Sequence, residues 1–110
     1  MTKRRRRRQN SAKSAIRKAW TELSAKLRED RGCCEVCGSA EKLNAHHCIH
    51  RRARKGLLLE ERNIVVLCAR HHFALHHGHE AEFFAWMKER KPDQFDWVMR
   101  QASLTGPFST

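Results

Sequence analysis

No stretch of this sequence is apolar for long enough to cross a bilayer, which takes about 20 residues. The charged start "MTKRRRRRQ" lacks the apolar segment of a secretory signal. No lipidation motif or aromatic-rich amphipathic face points to a membrane surface. The expected setting is therefore a reducing cytoplasm with no membrane partner. Internal repeats are absent, and acids are scarce: 12 Asp and Glu against 23 Lys and Arg give a formal net charge of +11. The five cysteines are an odd number, which in a reducing compartment points to metal ligands or buried thiols before disulfides. With 110 residues, one domain with a modest core is expected, near the size where a bound metal adds useful stability.

The positive charge is concentrated at the front. Residues 1 to 30 carry eleven Lys and Arg against three acids, whereas residues 31 to 110 carry twelve against nine. Arg4, Arg5, Arg6, Arg7 and Arg8 are consecutive, repel one another and gain most from phosphates, so DNA or another polyanion is the natural partner. A tail that only aids solubility is the plainer alternative. Having nothing apolar to bury, residues 1 to 10 are expected as a disordered basic arm.

Periodicity divides the remainder. In "SAKSAIRKAWTELSAKLREDRG", Ile16, Trp20, Leu23 and Leu27 recur at helical spacing, which predicts an N-terminal helix over residues 11 to 32 with Ser11 as N-cap and Gly32 as stop. From 33 to 78 short segments alternate with turns. "CCEVCGSAEKLN" has the form of a metal knuckle, with Gly38 permitting the tight turn. Residues 43 to 49 and 63 to 68, the latter "NIVVLC", are expected as an antiparallel strand pair. The connecting "HRRARKGLLLEER" is longer than a tight hairpin turn. A helix can begin at Ala69, placing His72 and His76 on one face. Residues 79 to 104 carry two further helical patterns broken at Pro92, with Asp93 as a cap. Phe83, Phe84, Trp86, Met87, Phe95, Trp97, Val98 and Met99 are candidates for the core. Residues 105 to 110 form a frayed tail. The fold class is thus α+β.

Seven of the eight histidines fall in "LNAHHCIHRR" and "NIVVLCARHHFALHH". Cys34 and Cys37 form CxxC, and Cys68 and His71 form CxxH some thirty residues later, the pattern of two knuckles closing a tetrahedral structural zinc site. Cys33 is an alternative to Cys34 at a spacing one residue longer, and Cys48 is left over as a buried thiol. On an extended strand adjacent side chains point to opposite faces, so His46 and His47 cannot easily hold one ion. If His46 joins His72 and His76, three imidazoles hold a second metal with open positions, and His47 is left as a base with a pKa near neutrality. A metal and a free base beside a basic surface suggest phosphodiester hydrolysis. Arg51, Arg52, Arg54 and Lys55, in the connecting loop, could neutralise neighbouring phosphates. His50, His77 and His79 are expected as surface imidazoles.

The "HH", the Asn before a short strand and the "LCxxHHxxxH" together resemble the HNH endonucleases, in the subclass with a zinc knuckle, over roughly residues 31 to 78. A looser likeness runs to phage recombination endonucleases of the NinG type. The resemblance implies a ββα-metal core and hydrolysis of DNA, in phage or prophage DNA processing or recombination, within a bacterial host cytoplasm. It makes His46 a metal ligand, His47 the general base that takes a proton from water, and Asn63 the residue that holds the loop and orients the base. His72 and His76 take the remaining ligand positions of the pattern. The family commonly has Asp where His46 stands and Cys where His71 stands, so His72 competes with His71 for the zinc. All-nitrogen ligation suits Mn2+, Ni2+ or Co2+ better than Mg2+. A monomer with one site would nick, whereas a dimer could cut both strands. The competing class is a non-catalytic zinc-knuckle nucleic-acid-binding regulator with an arginine-rich arm.

Overall fold

The structure, a computed structural model, describes residues 2 to 50 and 53 to 105. In chain order it comprises helix α1 (Lys3–Arg31), strand β1 (Leu43–His47), strand β2 (Ile64–Cys68) and helices α2 (Ala69–His76), α3 (Glu80–Arg90) and α4 (Pro92–Thr105). The class is α+β, with one two-stranded antiparallel sheet and four helices. Two single-turn 3₁₀ segments, Lys55–Leu57 and Glu61–Asn63, lie between the strands.

A two-stranded sheet is marginal alone and needs partners on its faces. Here β2 is buried along its whole length. Because successive side chains alternate, Ile64 and Val66 face α1 and pack with Leu27, Trp20 and Leu23. Val65 and Leu67 face the other way, into a cluster with Phe83 and Met87 of α3 and Trp97, Val98 and Ala102 of α4. Each fully buried aliphatic side chain of this kind stabilises the fold by about 1.5–3 kcal/mol. The aromatic and methionine residues expected in the core are there, buried or packed against it.

Three expectations at the helix ends change. Helix α1 begins at Lys3, so residues 3 to 10 are helical and not a disordered arm. Thr2 is the N-cap, its Oγ1 accepting from the Arg5 amide at 3.2 Å, in place of Ser11. The physical reason is propagation: the second half of α1 is docked on the sheet, and extending an existing helix through Arg, Lys, Gln and Ala costs little once the nucleus exists. Ile16, expected on the buried stripe, is 50% exposed because the helix has by then run past the sheet. The stop at Gly32 holds, in the left-handed region at φ 70°. Pro92 occupies the first position of α4, where its missing N–H costs nothing, and Asp93 sits in the first turn, not at the cap.

The outer edge of β2 is closed by the knuckle. The Glu35 amide donates to the Val66 carbonyl at 2.9 Å, and the Val66 amide donates to the Glu35 carboxylate at 2.6 Å. The same carboxylate accepts from Arg31 at 2.8 Å and from Lys91 at 2.6 Å. Burial pushes the Glu35 carboxyl up, but Lys91, the Val66 amide and Arg31 outweigh it and hold the group below its usual range. A carboxylate with a lowered folded pKa contributes stability that is present above its unfolded value and lost as pH falls through the folded one. Glu35→Gln should therefore cost about 1–2 kcal/mol at pH 7, since the stranded Arg31 and Lys91 reach solvent, and the gap to wild type should close as pH falls below 4.5, the ordinary value. Urea melts of both proteins across that range check it; a gap independent of pH would exclude an ionised Glu35 as the cause.

Among the described residues, no helix is long and apolar enough to cross a membrane.

Candidate metal centres and the histidine cleft

The antiparallel register sets His46 opposite Val65 and His47 opposite Ile64. Directly paired residues share a face of the sheet. His46 therefore points toward the side of α2 and α3, and His47 toward α1.

On its side, His46 meets His72 and His76, one turn apart on α2, with ring centroids 5.4 and 5.8 Å away and planes inclined at 67° and 81°. The His72 and His76 Nε2 atoms are 3.2 Å apart. One ring nitrogen from each of the three lies within 4.8 Å of the others, so the set can converge on a metal ion. Nitrogens about 2.0–2.1 Å from a common ion would lie roughly 3.0–3.4 Å apart, which brackets the observed pair. Burial, reinforced by the imidazoles of His72, His76, His47 and His50, holds the His46 pKa down to about 4. Burial, with His76, lowers that of His72 as well. Both rings are thus neutral at pH 7, the form that donates a lone pair to metal.

On the opposite side, the His47 ring lies against Trp20 of α1, centroids 4.3 Å apart. Its Nε2 is 2.9 Å from the Leu58 carbonyl oxygen. A carbonyl only accepts, so Nε2 carries the proton and the lone pair resides on Nδ1. Asn63 is fully buried and clamps the chain as it leaves β1. Its Oδ1 accepts from the Ile49 amide at 2.8 Å, and its Nδ2 donates to the Ile49 carbonyl at 2.9 Å and the Leu57 carbonyl at 3.4 Å. The strand exit and the loop carrying Leu58 are in this way fixed relative to each other.

The knuckle lies at the far end of the strands. Cys34 and Cys37 flank a turn that closes at Gly38, φ 80°, a conformation glycine adopts without strain. Cys68 ends β2, and His71 lies in the first turn of α2. The Cys37 and Cys68 sulfurs are 3.8 Å apart, and His71 Nδ1 lies 3.7 Å from the Cys34 sulfur and 3.3 Å from that of Cys68. A tetrahedron with Zn–S of about 2.3 Å and Zn–N of about 2.0–2.1 Å has edges of roughly 3.5–3.8 Å. The four side chains could bind a metal such as zinc. Burial pushes the Cys34 thiol up, but amides of Cys68, Cys37 and Val36 and the Cys37 thiol more than offset it, so its thiolate is favoured. At Cys37 the Ser39 amide lowers the pKa, yet desolvation and the sulfurs of Cys34 and Cys68 leave it raised. A cation among the sulfurs removes that mutual penalty.

Of the paired alternatives, the cluster contains Cys34 and not Cys33, and His71 and not His72. Cys48 lies just beyond β1, and burial pushes its thiol up to about 12. Arg54 does not stand open to phosphate: its guanidinium donates to the Gln101 side chain at 2.9 Å and braces the loop against α4. Lys55 is exposed. Arg51 and Arg52 lie outside the described residues.

Two cleft residues had no role in the sequence reading. His50 and Glu80 line, with His46, His47 and His76, a recess of about 230 Å³. Glu80 follows His76 by four residues, but Gly78 intervenes at φ 94° and a new helix begins, so helical spacing does not reveal the proximity. Trp20 had been legible only as an apolar position of a helix.

No family model, curated protein or solved structure matches this chain.

Proposed function

We propose that this protein is a metal-dependent DNA endonuclease of the HNH type, with a structural zinc at Cys34, Cys37, Cys68 and His71. The observation that carries the reading is the division of labour between two adjacent histidines. His46 converges with His72 and His76, while His47 is turned away from them and held in one tautomer by Leu58 and one plane by Trp20. A binding module has no use for that separation.

His47 accepts the proton of an attacking water at Nδ1, and its Nε2–H bond to Leu58 stabilises the imidazolium that results. Asn63 keeps that carbonyl in place through the loop. His46, His72 and His76 would hold the divalent ion, which supplies positive charge against the developing charge on the phosphoryl oxygens and the leaving 3′-oxygen. Lys55 and the basic front of α1 contribute contacts to phosphates away from the reacting one. The phage or prophage setting is part of the same proposal and rests on the motif likeness.

A supercoiled-plasmid assay tests this with Mg2+, Mn2+, Ni2+ or Co2+, and with EDTA as control. Metal-dependent nicking that EDTA abolishes is expected. Tight duplex binding with no nicking in any of the four metals would favour the non-catalytic regulator.

The ligand set makes a further prediction. Three nitrogen donors suit transition ions, whereas Mg2+ favours oxygen. Wild-type activity should therefore be higher with Mn2+, Ni2+ or Co2+ than with Mg2+ at equal concentration. His46→Asp supplies one carboxylate and should shift the preference toward Mg2+. A metal titration of both proteins, with unchanged preference in the variant, would remove His46 from the ligand set.

A further inference from the structure

Every residue from Lys3 to Lys18 is exposed, although all belong to one unbroken helix whose other half is docked on the sheet. The molecule measures 50 × 35 × 25 Å along its principal axes. Lys3 and Arg4 to Arg8 are six successive cations covering about 1.7 turns at 3.6 residues per turn, so they charge every side of the helix. Sequence and charge alone suggest a loose tail that clings to any phosphate. A rigid, fully girdled rod selects among polyanions.

A one-sided basic stripe suits a single row of phosphates. A girdle suits a slot with phosphates on both walls. The major groove of B-form DNA is such a slot, about 12 Å wide, and an α-helix with its side chains is about 10–12 Å across. A single strand offers one row only, and the major groove of A-form RNA is too narrow for side chains to enter. Acids in this part of the helix are missing altogether: the first is Glu22.

The other end of the rod is fixed. Trp20 lies against the His47 ring, and Leu23 and Leu27 anchor the same helix to β2. At about 1.5 Å per residue, Arg8 and Arg4 lie roughly 18 and 24 Å along the axis from Trp20. At about 3.4 Å per base-pair step, that span is roughly five to seven base pairs.

We infer that the first two turns of α1 enter the major groove of a B-form DNA duplex, and that the uninterrupted helix from there to Trp20 sets the distance between that contact and the phosphate presented to His47. The substrate is then duplex DNA with an intact flank beside the cut. The cut position rests on the nuclease reading; the groove contact rests on charge and shape.

The test lengthens the rod. Seven alanines inserted between Asn10 and Ser11 add about 10.5 Å and two turns less roughly 20°, which preserves the facing of the arm. A flexible Gly-Ser insertion of the same length serves as contrast. Binding is measured with full-length, zinc-loaded protein carrying His47→Ala, on duplexes shortened one base pair at a time. Affinity should fall in a step at a minimum length, and the alanine insertion should move that step by about three base pairs, whereas the Gly-Ser insertion should erase it. Duplex DNA should bind roughly tenfold or more tightly than single-stranded DNA or double-stranded RNA of equal length at equal salt. An unmoved step, or equal affinity for the three polymers, overturns the inference. In metal-loaded protein with His47 intact, the cut should move by the same three base pairs. Absence of any cutting would defeat the nuclease reading while leaving the binding step to decide the groove contact.

Discussion

His47→Ala should reduce DNA cleavage by about 10²- to 10⁴-fold, the usual contribution of a positioned general base. Metal content and duplex affinity should stay near wild type. The expectation follows from the two faces of β1: the imidazole points toward α1, while the ligand cluster lies on the side of α2. The truncation gives up the packing against Trp20 and the hydrogen bond to the Leu58 carbonyl, while the buried strand β2 and its two apolar clusters keep their side chains. The measurement pairs plasmid nicking with elemental analysis and a binding titration on the same preparation. Cleavage within a few-fold of wild type would remove His47 from the chemistry, and parallel loss of the catalytic ion would make it a ligand instead.

Cys68→Ser should lose both zinc and fold. Metal binding at a structural site is folding free energy, about 10–16 kcal/mol in isolated zinc modules, and a native domain has only about 5–15 kcal/mol in total. Cys68 joins the knuckle to the end of β2, so the loss reaches the strand whose fully buried side chains belong to both apolar clusters. Cys33→Ser provides the contrast, because Cys33 lies outside the ligand cluster. Elemental analysis should find one zinc per chain in Cys33→Ser and none in Cys68→Ser, with the thermal transition kept in the first and abolished in the second. A folded Cys68→Ser protein with full zinc would show that the sulfur is not a ligand.

The features legible in the sequence were those with short-range causes. The CxxC and CxxH spacings work because a tight turn and the first turn of a helix each bring residues three apart together. The opposite facing of His46 and His47 follows from strand pleat, and "NIVVLC" has the continuous apolar character of a strand buried on both sides. The illegible features depend on meetings distant in sequence. Glu35 is an acid inside a knuckle until Arg31, Lys91 and the Val66 amide converge on it. Trp20 gives no sign of its partner His47, and Arg54 none of Gln101. The helical state of residues 3 to 10 needs the docked residues that follow them as a nucleus, which their own good helix propensity does not supply.

Helix α2 is only eight residues long, yet it carries His71 for one cluster and His72 and His76 for the other. An isolated helix of that length is not stable in water. Leu75 packs α2 against the main apolar cluster, and an ion in either group would add to that order; if both groups hold ions, each would in linkage terms be an effector of the other. Whatever factor zinc adds to the affinity of the histidine cluster, an ion there returns to the affinity for zinc. On the nuclease proposal, chelator titrations should then read the two as a cooperative pair: withdrawing zinc would weaken the hold of His72 and His76 on their ion, because the helix that carries both loses one of its supports.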